Sequence, residues 1–313
     1  MKTLPLGNSG VEVSAFCLGT MRFGSAHDET ISSRMMEMYI EAGGTFLDTS
    51  NNYAFWVKDC NGSESEKFLG KWIKEHGNRD ELFVATKVGF NTPAIGKSLS
   101  AATIISECEK SLQHLQTDHI DLYYAHCDHR ETPLEETLTA FDTLIKQGKV
   151  RFIGASNTRA WRLEEARHVS AQNDLAEYCC IQQRHSYLRS NAGVDASVQL
   201  EANADLLDYT AARDITLLAY GPSAHGTYTK LDEPLTGSCA GPDSDARIAA
   251  LKDVSSETGA TPTQVVFAWM LQSTPPVIPL LACSTEAQMQ ENLAALQVTL
   301  SAEQMTRLTE AGV

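Results

Sequence analysis

Short apolar runs alternate with longer helical patterns along most of the chain. The runs have few polar positions inside them, as expected of parallel strands that are buried on both faces. In chain order they are "FCLGT", "TFLDT", "LFVATKVG", "HIDLYYAH", "VRFIGASN", "EYCCIQQ", "ITLLAYG" and "PVIPLLA". Between them lie segments such as "HDETISSRMMEMYIEAG", where Ile31, Met35, Met38 and Tyr39 share one helical face before a glycine stop. This alternation predicts an α/β fold.

Eight strand–helix units over 313 residues fit a (β/α)8 TIM barrel, which closes and leaves no sheet edge. The alternative is an open doubly wound sheet, which usually carries Gly-x-Gly-x-x-Gly after its first strand. Here the first strand runs into "GTMRFG", which is not that fingerprint. No linker divides the chain, so we predict a single barrel domain over residues 1–313.

Two further segments complete the predicted fold. The N-terminal "TLPLGNSGVEVSAF" has two apolar runs around Gly7–Gly10, which predicts a β-hairpin. The Gly/Pro/Ser-rich stretch 221–246 predicts an enlarged loop after strand 7.

Four further segments are predicted to be helices. "SESEKFLGKWIKEHG" opens with a Ser-x-x-Glu pattern that is typical of a capped helix start. A helix is predicted over about Leu200–Arg213, and another begins at Arg247 with "RIAALKDVSSETG". "PLEETLTAFDTLIKQG" is predicted to be a helix with proline at its start and glycine at its stop.

Charge and cysteine content narrow the classes of partner and compartment. The formal charge is 25 − 40 = −15, which argues against nucleic acid and anionic membrane as partners because both require clustered Lys and Arg. No stretch approaches a membrane span or a signal peptide. The eight cysteines include no Cys-x-x-Cys, and only Cys179 and Cys180 lie close together. These features predict reduced thiols in a cytoplasmic protein, whereas the oligomeric state is not predicted.

In a TIM barrel the active site lies at the C-terminal mouth of the strands, so residues at strand ends are the candidates. Asp48 ends the second predicted strand, with Tyr53 beyond it, whereas Lys87 and His126 end the third and fourth. A nearby Lys⁺ is expected to lower the phenol pKa from about 10, and a carboxylate would hold that Lys charged. With an imidazole to orient a carbonyl oxygen, the set forms a proton donor for a developing oxyanion. The electrons would have to come from a nicotinamide cofactor.

Each of these residues also has an ordinary structural interpretation. Asp48 suits a helix cap, Tyr53 a packing residue, and Lys87 a solvated strand end. His126 could be a hydrogen-bonded polar residue or a metal ligand. The occurrence of all four around three consecutive strands is what favours the catalytic interpretation.

The motifs around these residues resemble those of the aldo-keto reductases over nearly the whole chain. They are "GTFLDTSNNY", "GSESEKFLG", "VATK", "DLYYAHCD", "IGASN", "AYGPSAHG" and "IPLLACSTEAQMQENLAAL". The resemblance implies a TIM barrel that reversibly reduces an aldehyde or ketone with hydride from NAD(P)H. It also implies that Asp48, Tyr53, Lys87 and His126 are catalytic, with Tyr53 as the general acid.

The resemblance implies a set of cofactor-binding residues as well. Ser156, Asn157 and either Gln182 or Gln183 would hold the carboxamide, and the choice stays open because the family's Gln-x-x-Tyr-Asn spacing is altered to "QQRHSYLR". Tyr220 would stack on the nicotinamide ring. The full set is Gly19, Thr20, Met21, Ser156, Asn157, Gln182, Gln183, Tyr220, Gly221, Pro222, Ser284, Gln288, Glu291 and Asn292, of which Glu291 and Asn292 would contact adenine.

The preference between NADPH and NADH is the least determined part of this prediction. Where many family members have Lys or Arg, this chain has Ala282-Cys283-Ser284, and Gln288 stands where Arg is frequent. Only Ser284, Thr285 and the following helix N-terminus are then available for a 2′-phosphate. NADPH is the predicted cofactor, with NADH as the alternative.

The predicted substrate pocket is apolar. Phe55, Trp56 and Phe90 lie in mouth loops, and Met21 and Phe23 are further candidates, although such side chains also serve as loop packing.

Two other functions stay open on the sequence. One is a metal-dependent TIM-barrel hydrolase that uses His126, Asp128 and His129. The other is a non-catalytic, nicotinamide-binding regulatory subunit.

Overall fold

The computed structural model describes residues 1–92, 95–191, 193–194 and 198–312. The other residues of the predicted 1–313 domain lie outside this description. Eight parallel strands form a closed barrel in chain order. They are β3 (Cys17–Gly19), β4 (Phe46–Asp48), β5 (Phe83–Val88), β6 (Ile120–Ala125), β7 (Val150–Ser156), β8 (Tyr178–Arg184), β9 (Thr216–Tyr220) and β10 (Ile278–Leu281), preceded by β1 (Thr3–Pro5) and β2 (Glu12–Ser14).

Helices follow the barrel strands and surround them, so the predicted (β/α)8 TIM barrel is confirmed. The helices are α1 (Glu29–Glu41), α2 (Glu64–His76), α3 (Ala101–Leu115), α4 (Leu134–Lys146), α5 (Ala160–Asn173), α6 (Ala204–Ala212), α7 (Pro242–Thr258), α8 (Pro262–Gln272), α9 (Glu286–Ala294) and α10 (Ala302–Glu310). The enlarged loop after the seventh barrel strand is also present, between β9 and α7, and it contains short 3-10 helices at Ala224–Lys230 and Gly237–Cys239.

The barrel has two cores because alternate strand residues point to opposite faces. The outer core lies between strands and helices, and it includes Leu47, Val84 and Ile181. The inner core fills the barrel with residues one position away, such as Phe46, Ala85 and Tyr124. Burial on both faces explains why the strands appear in the sequence as uninterrupted apolar runs.

The predicted N-terminal hairpin is confirmed, and it closes the end of the barrel where the strands begin. β1 and β2 pair antiparallel, and Leu6 and Val13 pack into the inner core. The Gly7 N–H donates to Thr216 Oγ1 over 2.7 Å, which fixes the hairpin to the start of β9. Gly7 has a φ of +51°, and an added Cβ would stand only 2.1 Å from the carbonyl oxygen of Cys179.

We therefore expect Gly7→Ala to lower the free energy of unfolding by about 2–4 kcal/mol, through backbone strain plus a steric clash. Gly10→Ala is the matched control, because Gly10 also has a positive φ of +75° but has no atom within 4 Å of the added Cβ. Its loss should be about 1 kcal/mol. Equal losses in the two variants, measured by urea denaturation, would contradict the close packing of the hairpin against the barrel.

Two predicted helix boundaries are wrong, and α2 begins after Ser63 as predicted but without the predicted cap. The Ser63–Glu66 pattern does not form a side-chain cap; instead Glu66 accepts a 2.6 Å hydrogen bond from Thr86 Oγ1 in the core between α2 and β5. α6 begins only at Ala204, because Asn203 caps it. α7 begins at Pro242 rather than Arg247, since proline has no N–H to satisfy at the first helical position. The predicted proline start and glycine stop of α4 are both found.

None of the described helices combines the length and apolar content that a bilayer span requires. All eight cysteines lie in the described part of the chain and are unpaired, as predicted.

Candidate active site

Asp48 and Lys87 lie side by side at the ends of β4 and β5, pointing into the barrel. Both are fully buried, and Lys87 Nζ is 2.5 Å from Asp48 Oδ1. The other carboxylate oxygen accepts a 2.7 Å hydrogen bond from Gln182 Nε2. A buried ion pair persists only when such additional bonds satisfy the remaining polar atoms. Asp48 is therefore held by the barrel and is not a helix cap.

The ammonium of Lys87 contacts Asp48, a backbone carbonyl and the hydroxyl of Tyr53. Nζ donates to Thr49 O over 2.8 Å and to the Tyr53 hydroxyl over 2.7 Å. It also lies 4.7 Å from the centre of the Tyr53 ring. Carboxylate, ammonium and phenol thus form one continuous chain, and Lys87 is not solvated.

Tyr53 reaches this position from a tight loop after β4. Its N–H donates to Ser50 O over 3.3 Å, and Ala54 adopts a left-handed conformation with φ of 76°. Ser50 Oγ lies 2.8 Å from Asn52 Oδ1, which fixes the same loop. Tyr53 is only half-buried, so its hydroxyl lies between buried Lys87 and the open mouth.

The expectation that Lys87 lowers the pKa of Tyr53 is wrong for the protein's own groups. Burial, followed by the negative charge of Asp48, raises the pKa of Tyr53 well above its usual 10. The close Asp48 carboxylate offsets the Lys87 charge, so the phenol faces an ion pair and not a lone cation. Tyr53 therefore carries its proton at neutral pH.

His126 follows β6 and completes the group. Its ring centre is 6.1 Å from that of Tyr53, at an interplanar angle of 75°. Nδ1 is hydrogen-bonded to Ser50 Oγ at 3.1 Å, which leaves Nε2 for a ligand. Burial, followed by the Lys87 charge, lowers the pKa of His126 well below 6.5, so the imidazole is neutral.

A cluster of buried hydroxyls supports the ends of β3 and β4. Ser65 Oγ lies 2.8 Å from both Thr20 Oγ1 and Thr49 Oγ1, and it donates to Thr20 O. Thr20 Oγ1 in turn donates to the backbone carbonyl of Asp48 over 2.9 Å. These bonds fix the backbone on both sides of the Asp48 carboxylate. Thr20, which the sequence assigns to the cofactor, thus also has a structural role.

The end of β7 places Ser156 and Asn157 beside Tyr220 at the end of β9. Asn157 has a φ of 52°, and its Nδ2 donates to His126 O and to Ser156 Oγ, both over 3.0 Å. Its Oδ1 accepts a 2.7 Å hydrogen bond from the Tyr220 hydroxyl. The structure therefore brings these three predicted residues together with the catalytic candidates.

The two adjacent glutamines of β8 point in opposite directions. Gln182 faces the barrel interior and reaches Asp48, whereas Gln183 donates to Thr158 O over 3.4 Å and its Oε1 is buried without a partner in the described structure. Gln182 thus contacts the Asp48 carboxylate, whereas Gln183 lies beside Thr158. Both stand at the end of β8, and the role of each toward a carboxamide stays a prediction.

Aromatic side chains line one side of the mouth. Trp56 packs edge-to-face on Phe55 at 5.1 Å and on Tyr53 at 6.5 Å. Phe90 packs against His126 at 4.6 Å. Trp56 is 53% exposed, so its indole is available to a ligand.

The two further pocket candidates, Met21 and Phe23, lie in different environments. Met21 is 44% exposed beside the end of β3, where Gly19 also lies. Phe23 is 2% exposed and packs on Phe68 at 5.6 Å, so it belongs to the outer core and not to the pocket.

The remaining cofactor candidates lie after β9 and β10. Gly221 and Pro222 begin the enlarged loop, and Gly221 has a φ of 66°. Glu291 Oε1 accepts a 2.7 Å hydrogen bond from Thr261, and buried Asn292 lies 3.1 Å from Cys283 Sγ. Both residues on α9 are therefore engaged in packing against neighbouring elements.

Ser284, which follows β10, has two basic neighbours that sequence reasoning missed. Arg22 Nη1 lies 3.4 Å from Ser284 Oγ, and His27 Nε2 lies 3.1 Å from it. Gln288 Oε1 accepts from the Ser284 N–H over 2.8 Å. Arg22 and His27 are therefore neighbours of Ser284 in addition to Thr285 and the helix N-terminus. Barrel closure brings the loop after β3 to this point, and no local signal in the sequence indicates that contact.

The side chains proposed for a metal hydrolase do not converge. Asp128 forms ion pairs with Arg130 and Arg162, and His129 Nδ1 is bonded to Thr132 at 2.9 Å. Within the described ranges, no three His, Cys, Asp or Glu side chains are grouped as metal ligands. Ser50 is the hydrogen-bonding partner of His126 that the sequence did not single out, although the polar run "DTSNNY" marks its loop.

Comparisons with known proteins agree with this geometry. A family model described as "Aldo/keto reductase family" matches residues 15–312. An uncharacterized oxidoreductase YrpG of Bacillus subtilis is 32% identical, over 97% of this chain and 94% of the relative. Norsolorinic acid reductase stcV of Emericella nidulans is 28% identical, over 96% of this chain and 79% of the relative. An aryl-alcohol dehydrogenase of Pestalotiopsis microspora is 26% identical over the same shares of 96% and 79%. The chain belongs to the aldo/keto reductase family.

Proposed function

We propose that this protein reduces an aldehyde or ketone to the alcohol with hydride from NADPH, and that Tyr53 is the general acid. The observation that carries the proposal is the buried chain from Asp48 through Lys87 to the Tyr53 hydroxyl, with distances of 2.5 Å and 2.7 Å. A proton donor at the barrel mouth, beside a neutral imidazole, suits a carbonyl oxygen that is becoming negative.

The protein's own groups divide the work as follows. His126 Nε2 orients the carbonyl oxygen, and the protonated Tyr53 hydroxyl transfers its proton to that oxygen as negative charge develops there. The tyrosinate left behind is stabilised by Lys87 Nζ, which already donates to it over 2.7 Å. Asp48 keeps Lys87 charged and in place despite the burial that lowers the pKa of Lys87.

The residues present fit a nicotinamide dinucleotide. The nicotinamide supplies a hydride, and with the proton from Tyr53 this completes a two-electron reduction of the carbonyl group. Ser156, Asn157 and Gln182 offer hydroxyl and amide groups for a carboxamide, and Tyr220 offers an aromatic face beside them. The same mouth is bordered by residues at or after the ends of β3 and β9, namely Gly19, Met21, Gly221 and Pro222. The cofactor and the carbonyl substrate would therefore share this mouth.

The substrate we propose is an aromatic or bulky apolar carbonyl compound. Phe55, Trp56 and Phe90 form an aromatic wall next to Tyr53 and His126. Flat rings pack well on such a wall. One of the relatives is named an aryl-alcohol dehydrogenase, a name that refers to an aromatic compound.

We expect the purified protein to bind NADPH and to oxidise it when an aromatic aldehyde is added. Cofactor binding would be followed by fluorescence titration with NADPH and NADH, and turnover by the loss of absorbance at the nicotinamide band. Benzaldehyde and a short aliphatic aldehyde form a matched pair, and the aromatic compound should have the lower KM. Binding without turnover of any carbonyl in the panel would favour a non-catalytic role and would contradict the proposal.

A further inference from the structure

The imidazole of His126 has one hydrogen-bond partner in the described part of the chain, the hydroxyl of Ser50. Ser50 Oγ and His126 Nδ1 lie 3.1 Å apart, and the two side chains are buried, with 0% and 8% exposure. Phe90 and Tyr53 pack edge-to-face against the same imidazole, with ring centres at 4.6 Å and 6.1 Å. Ser50 is therefore the group that acts on Nδ1.

The position of the ring proton decides what His126 can bind. Burial, followed by the Lys87 charge, lowers the pKa of His126 well below 6.5, so the neutral ring carries a single N–H at neutral pH. With the proton on Nε2, this atom donates to a ligand, whereas with the proton on Nδ1 it only accepts. A carbonyl oxygen has no proton to donate, so it can bind only a ring that carries its proton on Nε2.

A second acceptor competes with His126 for the Ser50 proton. Ser50 Oγ lies 2.8 Å from Asn52 Oδ1 and 3.1 Å from His126 Nδ1. A serine hydroxyl has one proton, so it can donate to Asn52 or to His126 but not to both. If it donates to Asn52, Ser50 Oγ only accepts from His126, and the ring proton then lies on Nδ1. The direction of the Ser50 hydroxyl thus determines the tautomer of His126.

The loop holds the Ser50 side chain in place while its proton is free to rotate. The Asn51 N–H donates to Lys87 O over 3.3 Å, and Asn51 Nδ2 donates to buried Glu107 over 2.8 Å. The Tyr53 N–H donates to Ser50 O over 3.3 Å. Rotation about the Cβ–Oγ bond moves only the hydroxyl proton, so the two arrangements share the same heavy-atom positions.

We propose that Ser50 is a positioning residue, whose hydroxyl donates to His126 Nδ1 and thereby keeps the ring proton on Nε2, where the carbonyl oxygen binds. The inference rests on the proposed function, because the carbonyl ligand is part of that proposal. Ser50 is fully buried, so it acts on the substrate only through His126. In proteins, the hydrogen bond at one ring nitrogen commonly sets the proton on the other.

The direct test is nitrogen-15 NMR of the histidine-labelled protein at neutral pH, which reports whether each ring nitrogen is protonated. The chain has nine histidines, and the signals of His126 are those lost in His126→Gln. In the wild type we expect a protonated Nε2 and a hydrogen-bonded, unprotonated Nδ1. In Ser50→Ala the two signals should move toward each other, because no hydroxyl then selects one tautomer. A wild-type ring protonated on Nδ1, or unchanged signals in Ser50→Ala, overturns the inference.

Asn52→Ala separates the effect of the hydroxyl from that of the loop. This change removes the competing acceptor and leaves Ser50 in place, so Nε2 should remain protonated as in the wild type. If Asn52→Ala alters the His126 signals in the same way as Ser50→Ala, a disturbed loop is the cause and the role assigned to Ser50 is wrong.

The kinetic consequence is a modest loss confined to the carbonyl substrate. We expect Ser50→Ala to lower kcat/KM for benzaldehyde by about 2- to 10-fold, the effect of one neutral hydrogen bond, and to leave the Kd for NADPH unchanged. Ser170→Ala is the matched control, because Ser170 on α5 is also buried, with 1% exposure, and donates to Ala176 O over 2.8 Å. It should change neither quantity, and an unchanged kcat/KM in Ser50→Ala contradicts the inference.

These measurements distinguish the inference from the proposed function. If the wild type reduces no carbonyl compound, the proposed function fails, whereas the NMR signals still decide where the ring proton lies. If the wild type reduces carbonyls with the proton of His126 on Nδ1, only the role of Ser50 is overturned.

Discussion

Tyr53→Phe is expected to lower the rate of carbonyl reduction by about two to four orders of magnitude, the range typical of losing a general acid. The substitution removes only the hydroxyl that lies 2.7 Å from Lys87 Nζ and keeps the ring against Trp56 and His126. NADPH affinity should stay within about twofold, since the phenol is proposed to act on the carbonyl oxygen. Single-turnover rates at saturating NADPH would measure the effect.

Tyr209→Phe is the matched control for this variant. Tyr209 lies on α6, where its hydroxyl donates to Glu164 on the neighbouring helix α5 over 3.1 Å. It makes no contact with the catalytic candidates in the described structure. Its removal should leave the reduction rate unchanged. A Tyr53→Phe enzyme that retains the wild-type rate would eliminate Tyr53 as the acid and, with it, the proposed mechanism.

Lys87→Met should be the most disruptive single change at the site, because it leaves the Asp48 carboxylate buried without its cation. Removing one partner of a buried ion pair typically costs about 3–5 kcal/mol of stability. Carbonyl reduction should fall by at least about 1000-fold, as the tyrosinate loses its stabilising charge. Urea denaturation at neutral pH and the reduction rate of the folded variant measure the two effects.

The stability loss in Lys87→Met should depend on pH in a defined direction. Burial already raises the pKa of Asp48 in the wild type, and Lys87 is the main influence that lowers it. Without Lys87 the folded-state pKa rises further above the unfolded value of about 3.9. The folded variant then binds a proton more tightly than the unfolded chain does, so the defect shrinks toward acidic pH and grows as pH rises through the folded pKa. A defect that is constant from pH 5 to 8 would contradict an unpaired carboxylate.

The double variant Lys87→Met with Asp48→Asn separates stability from catalysis. It removes both charges, so most of the lost stability should return, while the reduction rate stays low because no cation faces Tyr53. If the double variant is as unstable as Lys87→Met alone, the instability comes from packing and not from an uncompensated charge.

The barrel could be predicted from the sequence because its strands are buried on both faces and therefore form uninterrupted apolar runs. The start of α7 differs from the prediction because proline usually indicates a loop, whereas Pro242 stands at the first helical position, which needs no N–H. The role of Glu66 differs from the prediction for another reason. Its carboxylate accepts a hydrogen bond from Thr86 on β5 and does not cap the helix, and no local sequence pattern specifies that tertiary contact.

Within the candidate site, the positions of the residues could be predicted from the strand ends, but the directions of their pKa shifts could not. Asp48, Lys87 and His126 could be predicted because a TIM barrel brings successive strand ends to one mouth. The direction of the Tyr53 pKa shift could not, because it depends on how closely Asp48 approaches Lys87 and how deeply the pair is buried. The different surroundings of Gln182 and Gln183 depend on the strand register, and the contact between Arg22 and Ser284 depends on closure of the barrel.

Closure has a consequence for how the folded state holds together. The pairing between β10 and β3, which closes the barrel, has only two residue pairs, whereas β6 and β7 are joined by five. A ligand that contacts Arg22 after β3 and Ser284 after β10 would link the two strands across this short pairing. Since a ligand that binds only the folded form raises the free energy of unfolding by RT ln(1 + [L]/Kd), a cofactor with a lower Kd would also stabilise the closed barrel more.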